Sequence, residues 1–261
     1  MAHEIDYKIF GDDMQFVEVE LDPGETVISE AGAMMYMREG IKMEAVFSDK
    51  EGGFMDKLIH VGKRVLTGES LFLATFTHEG KGKSHVAFAA PYPGKIIPID
   101  LKIYGTMLCQ KDSFLCAAKG CNIDIAFTKR FGAGLFGGEG FILQHISGDG
   151  FVFVHAGGTV HELELKAGET LRIDTGCIVA FHEHMEYDIQ FNNDIKTALF
   201  GGEGLFYATL KGPGKVFLQS LPFSRLANRI YKAMPQTGGH GKEEGSILGG
   251  LGRIIGGDMK F

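Results

Sequence analysis

Tryptophan is absent from this chain, proline is scarce at 7 of 261 residues, and no apolar run approaches the length of a membrane-spanning helix. The segment from Met1 to Phe16 has no continuous apolar stretch, which argues against a cleaved signal peptide. There is no excess of basic charge either: the formal net charge is −7. A nucleic-acid binder usually carries a basic surface, because phosphate contacts supply much of its affinity, so nucleic acid is disfavoured as a partner. Cysteine is limited to Cys109, Cys116, Cys121 and Cys177, with no C-x-x-C pair. A four-cysteine zinc site would need a spacing these residues lack, so they read as small buried hydrophobes in a reducing, cytoplasmic protein.

Glycine is abundant, at 38 residues, without a collagen period. Together with a 44% hydrophobic fraction it predicts a folded core built from short strands joined by tight turns.

The organisation becomes visible when Leu21–Phe47, Leu101–Phe127 and Leu165–Phe191 are compared. Each window is 27 residues long and they align without gaps. The first opens LDPGET and the third LKAGET, while the middle one, LKIYGT, lacks the Gly-Glu pair. They end IKMEAVF, CNIDIAF and MEYDIQF. Ile41, Met43, Ala45 and Phe47 thus match Cys121, Ile123, Ile125 and Phe127, then Met185, Tyr187, Ile189 and Phe191. Strict alternation predicts a strand with one buried face and a firmly specified register.

A second element follows each window: TGESLFLATF from Thr67, GGEGFILQHI from Gly137 and GGEGLFYATL from Gly201, each leading through a turn to another strand. The reading is a single β domain over 1–235, made of three units of roughly 65–80 residues (about 17–95, 97–160 and 161–223), with a Gly-rich tail over 236–261. Such spacing predicts an all-β closed or sandwich architecture. The first unit carries ten extra residues, where Gly53–Val65 has the periodicity of a short helix. Pro222–Met234 predicts a second, amphipathic helix.

The ordered set of GESLF, GGEGF and GGEGL turns, the short helix before the first and the small amphipathic helix after the last resemble the altered-inheritance-of-mitochondria protein family over about residues 1–235. That family, formerly a domain of unknown function in bacteria and archaea, is similar in fold to the tryptophan RNA-binding attenuation protein. The resemblance implies a double-stranded β-helix or barrel of three pseudo-equivalent repeats, and a homo-oligomer. It brings no enzyme activity and no catalytic residues. Its mitochondrial members are linked to inner-membrane organisation, which points to scaffolding. RNA binding belongs to the fold's namesake, and fold alone does not license function.

The sharpest local signal for chemistry is Gly176-Cys-Ile-Val-Ala-Phe-His182-Glu-His184. It matches the G-x5-H-x-H spacing of cupins, and two histidines at i and i+2 share one side of a strand. Glu186 and Asp188 continue that side, so a two-histidine, one-carboxylate site could hold iron, manganese or zinc. Against it, this side lies opposite Met185, Tyr187, Ile189 and Phe191, and the second half of the cupin pattern is absent. A solvated polar face is the better reading.

Glu69, Glu139 and Glu203 recur at matched turns and could converge on a cation, but repetition in every unit favours a structural bond within each turn. Gly132–Gly137 fits G-x-G-x-x-G yet precedes a strand, which excludes a dinucleotide fingerprint. Ser70 has glycine at both matched positions, Gly140 and Gly204, so it has little support as a nucleophile. Glu44, Asp124 and Asp188 recur on the polar side of the strands as solvated charges. The sequence therefore assigns no catalytic, cofactor-binding or metal residue and no cofactor. It predicts a non-enzymatic oligomeric scaffold or binding module with protein partners, whose Phe136 and Phe200 loops contribute to assembly. The alternatives are a cupin-like metalloenzyme on His182 and His184, and a membrane-associated organiser using Gly53–Val65 and the tail.

Overall fold

The computed structural model describes residues 1–48, 71–129, 141–191 and 206–234. The chain divides into two compact units, Met1–Leu226 and Ala227–Phe261. The first contains β1 (Asp6–Phe10), β2 (Phe16–Leu21), β3 (Thr26–Glu30), β4 (Met34–Met37), β5 (Ile41–Ser48), β6 (Leu71–His78), β7 (Ser84–Ala89) and β8 (Gly94–Asp100). After a one-turn helix α1 (Leu101–Tyr104) come β9 (Met107–Gln110), β10 (Phe114–Ala118), β11 (Asn122–Lys129), β12 (Phe141–Ser147), β13 (Phe151–Gly157) and β14 (Val160–Leu165). The series ends with β15 (Thr170–Asp174), β16 (Ile178–His182), β17 (Glu186–Phe191), β18 (Phe206–Lys211) and β19 (Gly214–Gln219). Helix α2 (Phe223–Ala233) follows. The protein is all-β.

The strands form four sheets, ordered β1-β2-β7-β4, β5-β6-β3-β10-β13-β8, β11-β12-β9-β16-β19-β14 and β15-β18-β17. Every pairing between these strands is antiparallel. Alternation explains the half-buried strands. In β2, FVEVEL, the side chains of Val17, Val19 and Leu21 are fully buried while the residues between them reach the surface. In β13, FVFVHAG, the near-continuous apolar run matches a strand buried on both faces.

The two Gly-Glu turns before β3 and β15 are built alike. Gly24 and Gly168 take φ of +89° and +83°, where a Cβ is disfavoured. The following carboxylates turn back on their own loops: Glu25 accepts from the Asp22 N–H at 2.8 Å, and Glu169 from the Lys166 N–H at 2.6 Å. The middle window lacks this pair and forms α1 instead, capped by the Asp100 carboxylate accepting from the Lys102 N–H at 2.9 Å. The opening leucines Leu21, Leu101 and Leu165 are all buried.

The core is apolar and divides into two clusters. One gathers Leu21, Ile28, Phe76, Phe88, Phe153 and their neighbours; the other Leu143, Ile178, Phe181, Leu210 and theirs. The expected buried face holds for Cys121 and Ile123, and for Met185 and Ile189. In β5 it holds for Ile41, which is buried, but not for Met43, 50% exposed, or for Ala45, which is also exposed. A strand's alternating pattern specifies which residues share a face without supplying anything to cover that face. The helix expected over Gly53–Val65 and the tail over 236–261 lie outside the described residues, as do the loops carrying Phe136 and Phe200. No helix among the described residues is long and apolar enough to cross a membrane.

Candidate functional site

The structure separates the ligands that alternation had lined up. His182 closes β16, the chain then turns through Glu183–Met185, and β17 begins only at Glu186. The turn is closed by the Met185 N–H donating to the His182 carbonyl at 3.2 Å. The rule that i and i+2 share a side applies within one extended strand, and this segment is not one. The two imidazoles do lie near each other, with ring centroids 5.1 Å apart, but each has another use. His182 Nδ1 accepts from the Lys215 N–H at 3.2 Å, and the Nε2 of His184 donates to the Pro213 carbonyl at 3.1 Å. Burial lowers the His182 pKa, and the neighbouring His184 and Lys215 push it the same way. Of the carboxylates, Glu186 pairs with Lys211 at 3.0 Å and Asp188 accepts from Gln190 at 2.6 Å. No three His, Cys, Asp or Glu side chains among the described residues come close enough to share a metal ion.

Glu44, Asp124 and Asp188 are exposed, and Glu44 pairs with Lys42 at 3.1 Å. Glu69, Glu139, Glu203, Ser70 and Gly132–Gly137 lie outside the described residues.

Cys109, Cys116 and Cys121 are buried and Cys177 is half-buried; none forms a disulfide. Burial pushes the Cys109 thiol up to about 12, Cys121 to about 11, and Cys116 well above its ordinary value. A thiol that stays protonated and shielded is a poor nucleophile and a poor metal ligand. With an aromatic disulfide reagent at pH 8, the native protein should label one thiol rapidly, Cys177, and all four after denaturation. Rapid labelling of three or four native thiols would contradict this placement.

One titratable cluster was invisible to sequence reasoning. Glu30 at the end of β3, Tyr92 in the loop before β8, Asp112 in the turn before β10 and His155 in β13 perturb one another or pack together. Burial, followed by the charge of Asp112, raises the Glu30 carboxyl to about 7, with Lys111 opposing. Burial, then Asp112 and Glu30, raises Tyr92 to about 12. His155 is 1% exposed and sits edge-on to the Tyr92 ring at 4.4 Å. Burial lowers its pKa to about 4, with the Tyr92 backbone opposing. The only sequence signals were a histidine inside an apolar strand and a glutamate ending TVISE; nothing local joined them. Shifted carboxyls often mark catalysis. The shifted carboxyl, phenol and imidazole make the stability of the fold depend on pH.

A shallow hollow lies between Gly40, His78, Gly80 and Lys83. His78 is committed there, its Nε2 donating to the Gly82 carbonyl at 2.9 Å and its Nδ1 accepting from the Gly80 N–H at 3.3 Å, with the Gly40 carbonyl 3.1 Å away. The histidine staples two turns together.

A further surface feature is β4. Met34, Met35 and Met37 are 36%, 54% and 41% exposed on a strand that ends its sheet. An exposed apolar edge with unpaired backbone groups is a template for another strand.

Comparison with known proteins agrees with a fold of this kind and adds no reaction. The chain is 28% identical over 227 residues to an uncharacterized protein of Streptococcus pyogenes serotype M6, an alignment covering 86% of this chain and 89% of that one. An X-ray crystal structure of a Streptococcus pyogenes protein superposes with a TM-score of 0.70 at 24% identity, covering 88% of this chain and 100% of that one, which supports the all-β fold. The profile described as mitochondrial biogenesis AIM24 matches residues 7–221, most of the chain, and the protein belongs to that family.

Proposed function

We propose that this protein is a non-enzymatic, homo-oligomeric β scaffold or binding module, working in the cytoplasm and built as a double-stranded β-helix of three pseudo-equivalent repeats. Support for the repeats comes from matched connections. β5–β6, β11–β12 and β17–β18 are hairpin partners at corresponding places, and β4, β10 and β16 each carry a bulge at the same point against β7, β13 and β19. Support for a cytoplasmic setting comes from four cysteines kept as thiols.

The observation that carries the scaffold reading is the exposed methionine edge of β4. Methionine is flexible and polarizable and suits a surface that packs against a partner. Native mass spectrometry of the untagged full chain, prepared without chelators, tests the reading. A metal-free oligomer is expected. A monodisperse monomer at micromolar concentration would overturn the oligomeric part. Stoichiometric metal that disappears in the His182→Ala, His184→Ala double variant would overturn the non-enzymatic part.

A further inference from the structure

Helix α2 divides cleanly into two faces. Phe223, Leu226, Ala227, Ile230, Tyr231 and Met234 recur at i, i+3, i+4, i+7, i+8 and i+11, the spacing that gathers apolar residues along one side of a helix. The Met234 N–H donates to the Ile230 carbonyl at 3.1 Å, so the helical path carries the pattern to its last member. Serine, asparagine and the basic residues Arg225, Arg229 and Lys232 take the remaining positions. No acidic residue occurs between Phe223 and Met234, in a chain whose net charge is −7. The helix is a basic segment of an acidic protein.

Its first turn is already engaged. Arg225 pairs with Asp174 at 3.0 Å, and the Phe223 ring lies 5.3 Å from that of Tyr92. The later turns differ: Ile230, Tyr231 and Met234 are 55%, 67% and 57% exposed. An apolar helix face left in water marks a surface that packs on something. The charge says on what. A polar face that holds bases and no acids, with a tyrosine at the border of the apolar face, suits a helix lying among the headgroups of an anionic bilayer. The long basic side chains reach phosphate while their stems stay along the apolar boundary. A groove on a protein would accept the apolar face equally well, but it gives no reason for the opposite face to exclude acids. With 11 residues, α2 is far too short to cross a bilayer, so the contact is peripheral.

We propose that α2 lies on the surface of an anionic phospholipid bilayer, with Ile230, Tyr231 and Met234 entering the boundary between headgroups and acyl chains and Arg229 contacting lipid phosphate. This goes beyond the scaffold reading by giving the protein a surface to be held against, and it stands whether or not the chain forms an oligomer. The attraction joins two parts with different signatures. The apolar part needs the side chains at Ile230 and its neighbours; the electrostatic part needs anionic lipid and weakens as salt screens it.

The test is flotation of the untagged full chain with phosphatidylcholine vesicles, with and without a third of phosphatidylglycerol. Binding to the anionic vesicles should exceed that to the neutral ones by about tenfold or more, and high salt should release the protein. Ile230→Glu, at a side chain exposed in the fold, should abolish flotation with an unchanged circular dichroism spectrum. Arg229→Glu, which touches no apolar residue, should remove the preference for anionic lipid and decides the matter should Ile230→Glu fail to fold. Leu251→Glu, Ile254→Glu in the Gly-rich tail should float as the parent does. A parent that ignores anionic vesicles overturns the proposal. Flotation that survives both α2 substitutions, or that the tail substitutions abolish, overturns the assignment to α2. A parent indifferent to vesicles whose Ile230→Glu variant loses oligomer mass in native mass spectrometry shows that a second copy, not lipid, covers this face.

Discussion

Phe153→Ala is expected to cost about 3–5 kcal/mol and to lower the melting temperature by roughly 10 °C or more. Phe153 is fully buried at the centre of β13. It stands opposite Cys116 on one neighbouring strand and Pro98 on the other, so its backbone holds the middle of a six-stranded sheet. Its ring takes the Tyr7 ring edge-on at a centroid distance of 4.8 Å, tying β1 to that sheet. Removing the ring deletes its apolar contacts and leaves a void between elements that are fastened on several sides and cannot collapse into it. Ile103→Ala serves as a control: Ile103 is 77% exposed and its truncation should stay within about 0.5 kcal/mol. Chemical denaturation of both variants checks the pair. A loss below about 1 kcal/mol at Phe153 would show that this part of the core is not packed as described.

Stability should depend on pH through two groups of opposite sign. The His155 pKa is about 4 in the folded protein, below the ordinary 6.5. Between those values the unfolded chain holds a proton that the folded chain lacks, so stability falls as pH drops from 6.5 to 4, by about 3 kcal/mol at most. Above pH 6.5 the ring is neutral in both states and adds no slope. Glu30 works the other way, with a folded pKa of about 7 against an ordinary 4.5. Its protonated form is favoured in the fold, so its contribution is complete below pH 4.5 and is lost as pH rises to 7, again about 3 kcal/mol at most.

In the parent the two slopes offset each other between pH 4.5 and 6.5. His155→Met should expose the Glu30 slope, so that relative to the parent the variant gains stability as pH falls. Glu30→Gln should expose the opposite slope and gain relative to the parent as pH rises. Surface pairs such as Glu20 with Lys83 are common to all three proteins and cancel in the difference. Urea denaturation from pH 4.5 to 7.5 reads both differences. Parallel profiles for parent and His155→Met would rule out the buried neutral histidine.

Patterns of short range are legible in the order of the residues alone. The alternation of β2, the Gly24-Glu25 and Gly168-Glu169 turns, the burial of Leu21, Leu101 and Leu165 and the helix beginning after Pro222 follow from preferences acting over a few residues: pleat periodicity, tolerance of positive φ at glycine, and capping. The same local reasoning misplaced His184, because it assumed an extended strand where the chain turns, and it expected a buried side chain at Met43, which is half exposed. Only the tertiary structure decided which edges meet. β3 and β10 are joined across more than eighty residues, while β4 and β15 are left open, and no local preference distinguishes these outcomes. It also decided the chemistry of Glu30 and His155. Their proton affinities depend on burial and on charges brought near by other strands and turns, and a chain read in order carries neither quantity.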